Sequence, residues 1–214
     1  LIEPIHQISV REKSLKTYIN SICDKPVTHV LDPVFLHDRD FYMNIAVRPA
    51  KKGYVLIYIV MGKCRSVVEM AVQYAQERGL EVIELGEELE DAHIPNGTEH
   101  PVLYDVGVEE WLGYMADAEC VFTNSFHACA LSIILHKKFY AGPRSGDKID
   151  SVLELFELEN RRIYVDEENL SEKLTQDIDF DRVDEIWKEQ RKISEDFLLN
   201  ALNEAEEYVS EHGR

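Results

Sequence analysis

Cys120-Val-Phe-Thr-Asn-Ser-Phe-His-Ala-Cys-Ala-Leu-Ser-Ile-Ile-Leu-His-Lys-Lys-Phe-Tyr-Ala-Gly142 reads as a short buried strand, a polar turn, an apolar helix, a basic pair and a second short strand. Thr123, Asn124 and Ser125 end the first apolar run, and side chains of these types cap helix starts. His127 then falls in the first turn of the helix. A helix N-terminus offers unpaired N–H groups and partial positive charge, so it is a natural place for an anion.

The strand–helix–strand order repeats outward from this stretch. His6–Val10 and Thr28–Asp32 are short strands around a helix over Lys13–Ile22, where Leu15, Tyr18, Ile19 and Ile22 recur at helical spacing. Residues 34–52 show no period and are expected to be an irregular connection. Tyr54-Val-Leu-Ile-Tyr-Ile-Val60 is apolar on both alternating faces, as a central parallel strand covered by helices should be. A helix over Ser66–Arg78 follows, with Gly79 at its C-terminal cap and a strand at Leu80–Leu85. Residues 86–107 are expected to be a loop, and Val108–Ala118 a short helix. Downstream come a helix at Ile149–Leu158, a strand at Arg162–Val165 and helix from Leu170 onward. An apolar stripe of Ile186, Ile193, Phe197, Leu198, Ala201, Leu202, Ala205 and Val209 runs along that last helix. Alternating strands and helices imply an α/β, Rossmann-like parallel sheet with helices on both faces and a ligand at the carboxyl ends of the strands. Residues 1–168 are expected to form that domain and 169–214 a long C-terminal helical extension.

The chain has 214 residues, 45% of them hydrophobic, which suffices for a sizeable core. A formal net charge of −18 argues against nucleic acid or an anionic membrane as a general partner, while leaving room for a local basic pocket. Cys23, Cys64, Cys120 and Cys129 show no metal-ligand spacing, so no metal and no cofactor are expected. Cys120 and Cys129 sit in apolar surroundings as small core residues, which fits a reducing compartment and a cytoplasmic location. No run reaches the roughly 18 apolar residues of a membrane helix, and no signal peptide is legible. Leu1 stands where a Met would open a complete chain, so the sequence is read as a piece of something longer.

Taken strand by strand, the carboxyl-end rim gathers Arg11, Lys63, Arg65, Asn124, Ser125, His127, Arg144 and Lys148 in an otherwise acidic protein. That contrast points to a phosphate- or carboxylate-bearing ligand. Plainer roles stand beside it: Arg11 as partner of Glu12 or Asp32, His127 as a capping or core histidine, Lys137 and Lys138 as solvated charges. The dinucleotide and P-loop glycine fingerprints are absent. His127 and Cys129, two residues apart, cannot share a helical face, which disfavours a Cys–His nucleophile pair.

Thr123-Asn-Ser-Phe-His127 resembles a motif of the polysaccharide pyruvyl transferase family. Ser9-Val-Arg-Glu12 is similar to its strand-end S-V-R-[ED] segment, and Val30-Leu-Asp-Pro33 to its V-x-D-P. Lys137 matches the lysine of its G-K-P, and Ser151-Val-Leu-Glu-Leu-Phe-Glu-Leu158 the run that follows. The resemblance implies the C-terminal half of a two-domain GT-B type fold, with the N-terminal acceptor domain absent from this stretch. It implies transfer of the pyruvyl group of phosphoenolpyruvate onto two hydroxyls of a saccharide or lipid-linked oligosaccharide, giving a ketal and phosphate. Arg11 and His127 match phosphoenolpyruvate-binding positions, with His127 also a general acid. Lys137 matches a lysine of catalytic or binding importance, and Asn124, Ser125, Arg144 and Lys148 are expected to help bind substrate. An isolated half would lack much of the acceptor site and is expected to be inactive alone. The chain departs from the family pattern at Ala128, where Gly is usual, and at His136-Lys-Lys138 in place of Gly-Lys-Pro. Other readings are a nucleotide-sugar-dependent GT-B glycosyltransferase, with Glu84 as the near ribose-binding acid, and a non-catalytic binding domain that kept the fold.

Overall fold

The computed structural model of the chain describes residues 5–60, 64–86, 100–164 and 170–212. The chain divides into two compact units, one of Leu1–Leu36 with Asp181–Arg214 and one of His37–Phe180. In the first unit, β1 (Ile8–Val10) and β2 (Val27–His29) pair in parallel around α1 (Lys13–Ile22). Ile8, Val10 and Val27 are buried together, with Ile19 of α1 packed on them. These two strands make a sheet of their own, separate from the five strands of the other unit.

The His37–Phe180 unit opens with α2 (Arg39–Ile45), inside the connection expected to be irregular. Seven residues are too few to display a helical period. The readable signal was Asp38, whose carboxylate accepts the Phe41 N–H at 2.9 Å as the N-cap, with Asp40 in the first turn. Then come β3 (Val55–Tyr58), α3 (Arg65–Arg78), β4 (Val82–Leu85), β5 (Val102–Leu103), α4 (Val108–Asp117), β6 (Cys120–Thr123), α5 (Phe126–Ile134) and β7 (Lys138–Ala141). All pairings are parallel, in the order β5-β4-β3-β6-β7. The short β5 lies in the stretch expected to be loop; residues 87–99 of that stretch are outside the described residues. The strand expected at Arg162–Val165 is reduced to a single parallel bridge from Arg162 to Ala141, and Val165 lies outside the described residues.

Alternation along the strands sends side chains to two covered faces. Val55, Ile57, Cys120, Phe122 and Tyr140 form one buried cluster with Val67, Val68, Ala71, Tyr74 and Ala75 of α3. Leu56 and Tyr58 alternate with them, and the Tyr58 ring lies 5.3 Å from that of Trp111 on α4. Gly79 ends α3 at φ +63°, its N–H directed at the Ala75 and Gln76 carbonyls, a left-handed cap that Gly adopts without strain. Gly113 is needed for a different reason. A Cβ there would sit 1.8 Å from the Val47 carbonyl oxygen, so α4 can approach the end of the α2 segment only where no side chain intervenes. The Val47 N–H donates to the Glu109 carbonyl at 2.8 Å across the same contact.

After β7 come α6 (Lys148–Leu155), α7 (Leu170–Lys173) and α8 (Phe180–His212). The helix expected to run unbroken from Leu170 is interrupted after Lys173. The fully buried Arg161 accounts for this: its Nη1 donates to the Gln176 carbonyl at 2.9 Å, drawing that carbonyl out of a helical ladder. In the first unit, Trp187 of α8 donates through Nε1 to the Phe35 carbonyl at 2.9 Å, and Ser194 Oγ accepts the Leu31 N–H at 2.9 Å. Of the apolar stripe, Ile186 is buried, whereas Ile193, Leu198, Leu202 and Val209 are exposed.

Candidate functional site

In the five-stranded sheet the connections leave β3 and β6 in opposite directions, so the crevice between their carboxyl ends is the topological switch point where open α/β sheets bind ligands. The residues that follow β6 tie this crevice together. Thr123 Oγ donates to the Tyr58 carbonyl at 2.5 Å. Asn124 completes the pair of strands like a further ladder step: its Oδ1 accepts the Val60 N–H at 2.8 Å and its Nδ2 donates to the Val60 carbonyl at 3.1 Å. The Ser125 N–H turns back onto Thr123 Oγ at 2.9 Å, and Ser125 is the N-cap of α5, with its Oγ facing the Ala128 N–H at 3.5 Å.

With the cap fixed, His127 is the second residue of α5 and points to solvent, while Ala128 and Cys129 are buried. A cavity of about 580 Å³ opens here, lined by Ser125 and His127, by the aromatic Tyr58, Tyr104 and Trp111, and by Leu85 and Leu103 at the ends of β4 and β5. Gly86 lets the aromatic side close up, since a Cβ there would meet the Tyr104 ring at 2.9 Å. The indole N–H of Trp111 is shut off from solvent and has no hydrogen-bond acceptor among the described residues. The start of α5 adds partial positive charge to the serine–histidine side.

The other residues expected at the site fall in three places. Arg144 reaches the same turn, its Nη1 donating to the Asn124 carbonyl at 3.2 Å, and Gly142 is held there by its N–H on the Thr123 carbonyl at 2.7 Å. Lys148 is exposed at the first position of α6. Lys137 sits at the other end of the sheet. It precedes β7, whose first residue is in register with Cys120, and its Nζ donates to the Ala118 carbonyl at 3.0 Å. The length of β6, about 10 Å at 3.3 Å per step, therefore separates it from the turn that carries His127. Burial holds the Lys137 ammonium below its usual range; neighbouring Arg39 acts the same way and Asp117 opposes it. Arg11 belongs to the first unit and pairs with the buried Asp32 carboxylate, which also accepts the Val34 N–H at 3.0 Å. Arg65 pairs with Glu69 one helical turn on, at 2.8 Å. Lys63 lies outside the described residues.

The two buried cysteines are poor nucleophiles, since burial pushes the Cys120 and Cys129 thiols up to about 12. Ala128, the departure from the family's Gly, sends its methyl into the core and does not line the cavity. Among the described residues no group of three His, Cys, Asp or Glu side chains is placed to hold a metal ion. No described helix is long and apolar enough to cross a membrane. Sequence reasoning missed the aromatic wall: Tyr58 and Trp111 carry the same local pattern as core residues, and Tyr104 lies in a stretch without period.

A family model described as polysaccharide pyruvyl transferase matches residues 1–141. Among solved structures, the glycotransferase of kitacinnamycin is similar at 15% identity and a TM-score of 0.54, over 91% of this chain and 53% of that one. The UDP-GlcNAc 2-epimerase of Methanocaldococcus jannaschii, in complex with UDP-GlcNAc and UDP, is similar at 14% identity and a TM-score of 0.52, over 86% of this chain and 55% of that one. The chain thus spans about half the length of these solved chains, and the likeness establishes the α/β, GT-B type fold. No curated protein matches the chain.

Proposed function

As the chain belongs to the polysaccharide pyruvyl transferase family, we propose that its sheet unit binds phosphoenolpyruvate at the start of α5 and contributes the donor side of pyruvyl transfer to a saccharide. The observation that carries this reading is the placement of His127, exposed at the second position of α5 in a cavity at the switch point, with Arg144 fastened to the same turn. A donor that carries both a phosphate and a carboxylate calls for a cationic group and for N–H donors, the first from an arginine and the second from a helix start.

The chemistry follows from the donor. A proton delivered to the methylene carbon of phosphoenolpyruvate leaves C2 electrophilic, and His127 is the group placed to deliver it. One acceptor hydroxyl adds to C2 and releases its proton. Cleavage of the C2–O bond frees phosphate, and the second hydroxyl adds in its place and releases the second proton, closing the ketal. One of these protons replaces the one given to carbon, and the other leaves with phosphate or solvent. Positive charge at the α5 start stabilises the departing phosphate. Lys137 has no part in this site; its role is to hold the β6 entrance. The acceptor, the second half of the site and a cytoplasmic setting, where phosphoenolpyruvate is made, belong to the same proposal.

Thermal unfolding of the chain tests it. Phosphoenolpyruvate in hundredfold excess over its Kd is expected to stabilise by about 2.7 kcal/mol, and His127→Ala to remove most of that gain. Stabilisation by UDP or CDP alone, with none from phosphoenolpyruvate, would overturn the proposal in favour of a nucleotide-sugar enzyme.

A further inference from the structure

The cavity is larger than phosphoenolpyruvate and chemically divided. At about 30 Å³ per non-hydrogen atom, the share of one water in the liquid, a ten-atom phosphoenolpyruvate fills at most about 300 Å³ of the 580 Å³ present. On the same share the remaining volume of about 280 Å³ takes about nine atoms, enough for a six-membered ring with part of its substituents while the others stay in solvent. The lining is part aromatic, from Tyr58, Trp111 and Tyr104, and part polar, from Ser125 and His127. The Tyr58 and Trp111 rings meet at 60° and 5.3 Å, forming a corner rather than a flat stack. The buried Trp111 N–H without an acceptor is a donor that the protein's own described groups do not satisfy, and such groups call for an explanation.

From this division we infer that the aromatic wall is a subsite for one pyranose ring of the acceptor saccharide. The apolar C–H face of the sugar packs on Trp111 and Tyr104, and its hydroxyl edge turns towards His127. A small turn of the indole brings its N–H onto a ring or hydroxyl oxygen of the sugar. An aromatic ring offers a large apolar face at low entropic cost and a polar handle at its edge, which matches a pyranose with one C–H face and a polar rim. Saccharide recognition then lies partly on the donor-side unit, with Trp111 and Tyr104 as specificity-determining residues. The inference rests on the function proposed above for the same cavity.

The test uses this chain with Trp187→Phe, so that Trp111 is the only indole, and follows its fluorescence while methyl β-galactopyranoside, methyl β-glucopyranoside, methyl α-mannopyranoside or uridine is added. Phosphoenolpyruvate binding is followed in parallel by thermal shift. At least one pyranoside is expected to shift the emission with half-saturation in the millimolar range, and saturating phosphoenolpyruvate to leave that binding intact or strengthen it. Tyr104→Ala, at an exposed position that folding tolerates, is expected to weaken the pyranoside at least fivefold. Trp111→Ala, read by the sugar's own NMR signals, is expected to abolish binding, and Trp111→Phe to retain most of it. Phosphoenolpyruvate binding without any response to a pyranoside overturns the subsite and leaves the proposed function standing. A pyranoside response without phosphoenolpyruvate binding supports the subsite and sinks the pyruvyl reading. A response to uridine alone overturns the subsite, because the wall then takes a nucleobase.

Discussion

Replacing Asn124 by Ala separates a ligand-binding residue from a structural one. The sequence predicts Asn124 as a substrate contact; in the fold its amide spans the Val60 N–H and carbonyl at 2.8 and 3.1 Å, and the residue is almost fully buried. Each of these bonds is worth about 1 kcal/mol net, and a backbone group left without a partner away from water costs about 1–3 kcal/mol. Val60 is half-buried, so water restores part of the loss, and the expected destabilisation is about 3 kcal/mol. With a urea m-value of about 2 kcal/mol/M for a domain of this size, the midpoint falls by about 1.5 M. The measurement is equilibrium urea unfolding in the Trp187→Phe background, so that Trp111 reports the sheet unit. Asn124→Asp keeps the acceptor and loses the donor, and its midpoint is expected to lie between those of the parent and the alanine variant. A midpoint shift below about 0.4 M in Asn124→Ala, together with loss of phosphoenolpyruvate-dependent stabilisation, would show that the side chain serves the ligand and not the crevice.

Two further outcomes are expected. The Arg48 guanidinium, bonded to the buried Asp117 carboxylate through Nε at 2.7 Å, holds that carboxyl below its usual range, although burial pushes the other way. A depressed folded value stabilises the protein above the unfolded carboxyl pKa and loses that contribution as pH falls through the folded one. Unfolding free energy measured from pH 6 to pH 2 should therefore drop towards the acid end, and Asp117→Asn should flatten the drop; identical slopes would refute the linkage. Lys137→Met should leave phosphoenolpyruvate binding unchanged and alter stability by no more than about 1 kcal/mol, since it exchanges one hydrogen bond for relief from burying an ammonium. Loss of binding in that variant would contradict the separation of Lys137 from the His127 turn.

What could be read from sequence depended on whether a local pattern carried the information. The helix over Lys13–Ile22 and the strand–turn–helix at Cys120–Ile134 were legible because periodicity and capping residues act within a few positions. The same signals put the cap among Thr123, Asn124 and Ser125 and His127 in the first turn, whereas the choice of Ser125 and the exposure of His127 come from the fold. Partnership was not legible. Nothing in Ile8–Val10 says that its ladder ends at two strands, and nothing in Lys137 says that its ammonium reaches back to Ala118. The role expected of Lys137 came from the resemblance alone, and a residue that precedes a strand stands at the opposite end of the sheet from position 144, which follows one. The aromatic wall assembles from β3, α4 and the stretch between β5 and α4, three segments whose convergence only the sheet order creates.

The glycine at 113 has a consequence for binding thermodynamics. Because the backbone of α4 lies directly on the Val47 carbonyl, and the Val47 N–H clasps Glu109 two residues before Trp111, the segment that presents the indole has no slack along or across its axis. Immobilising a side chain on binding ordinarily costs about 0.5–1.5 kcal/mol. For the α4 backbone that ordering is completed when the chain folds, so a ring arriving at the wall has only the torsion of the indole itself left to set and keeps more of its contact energy as affinity.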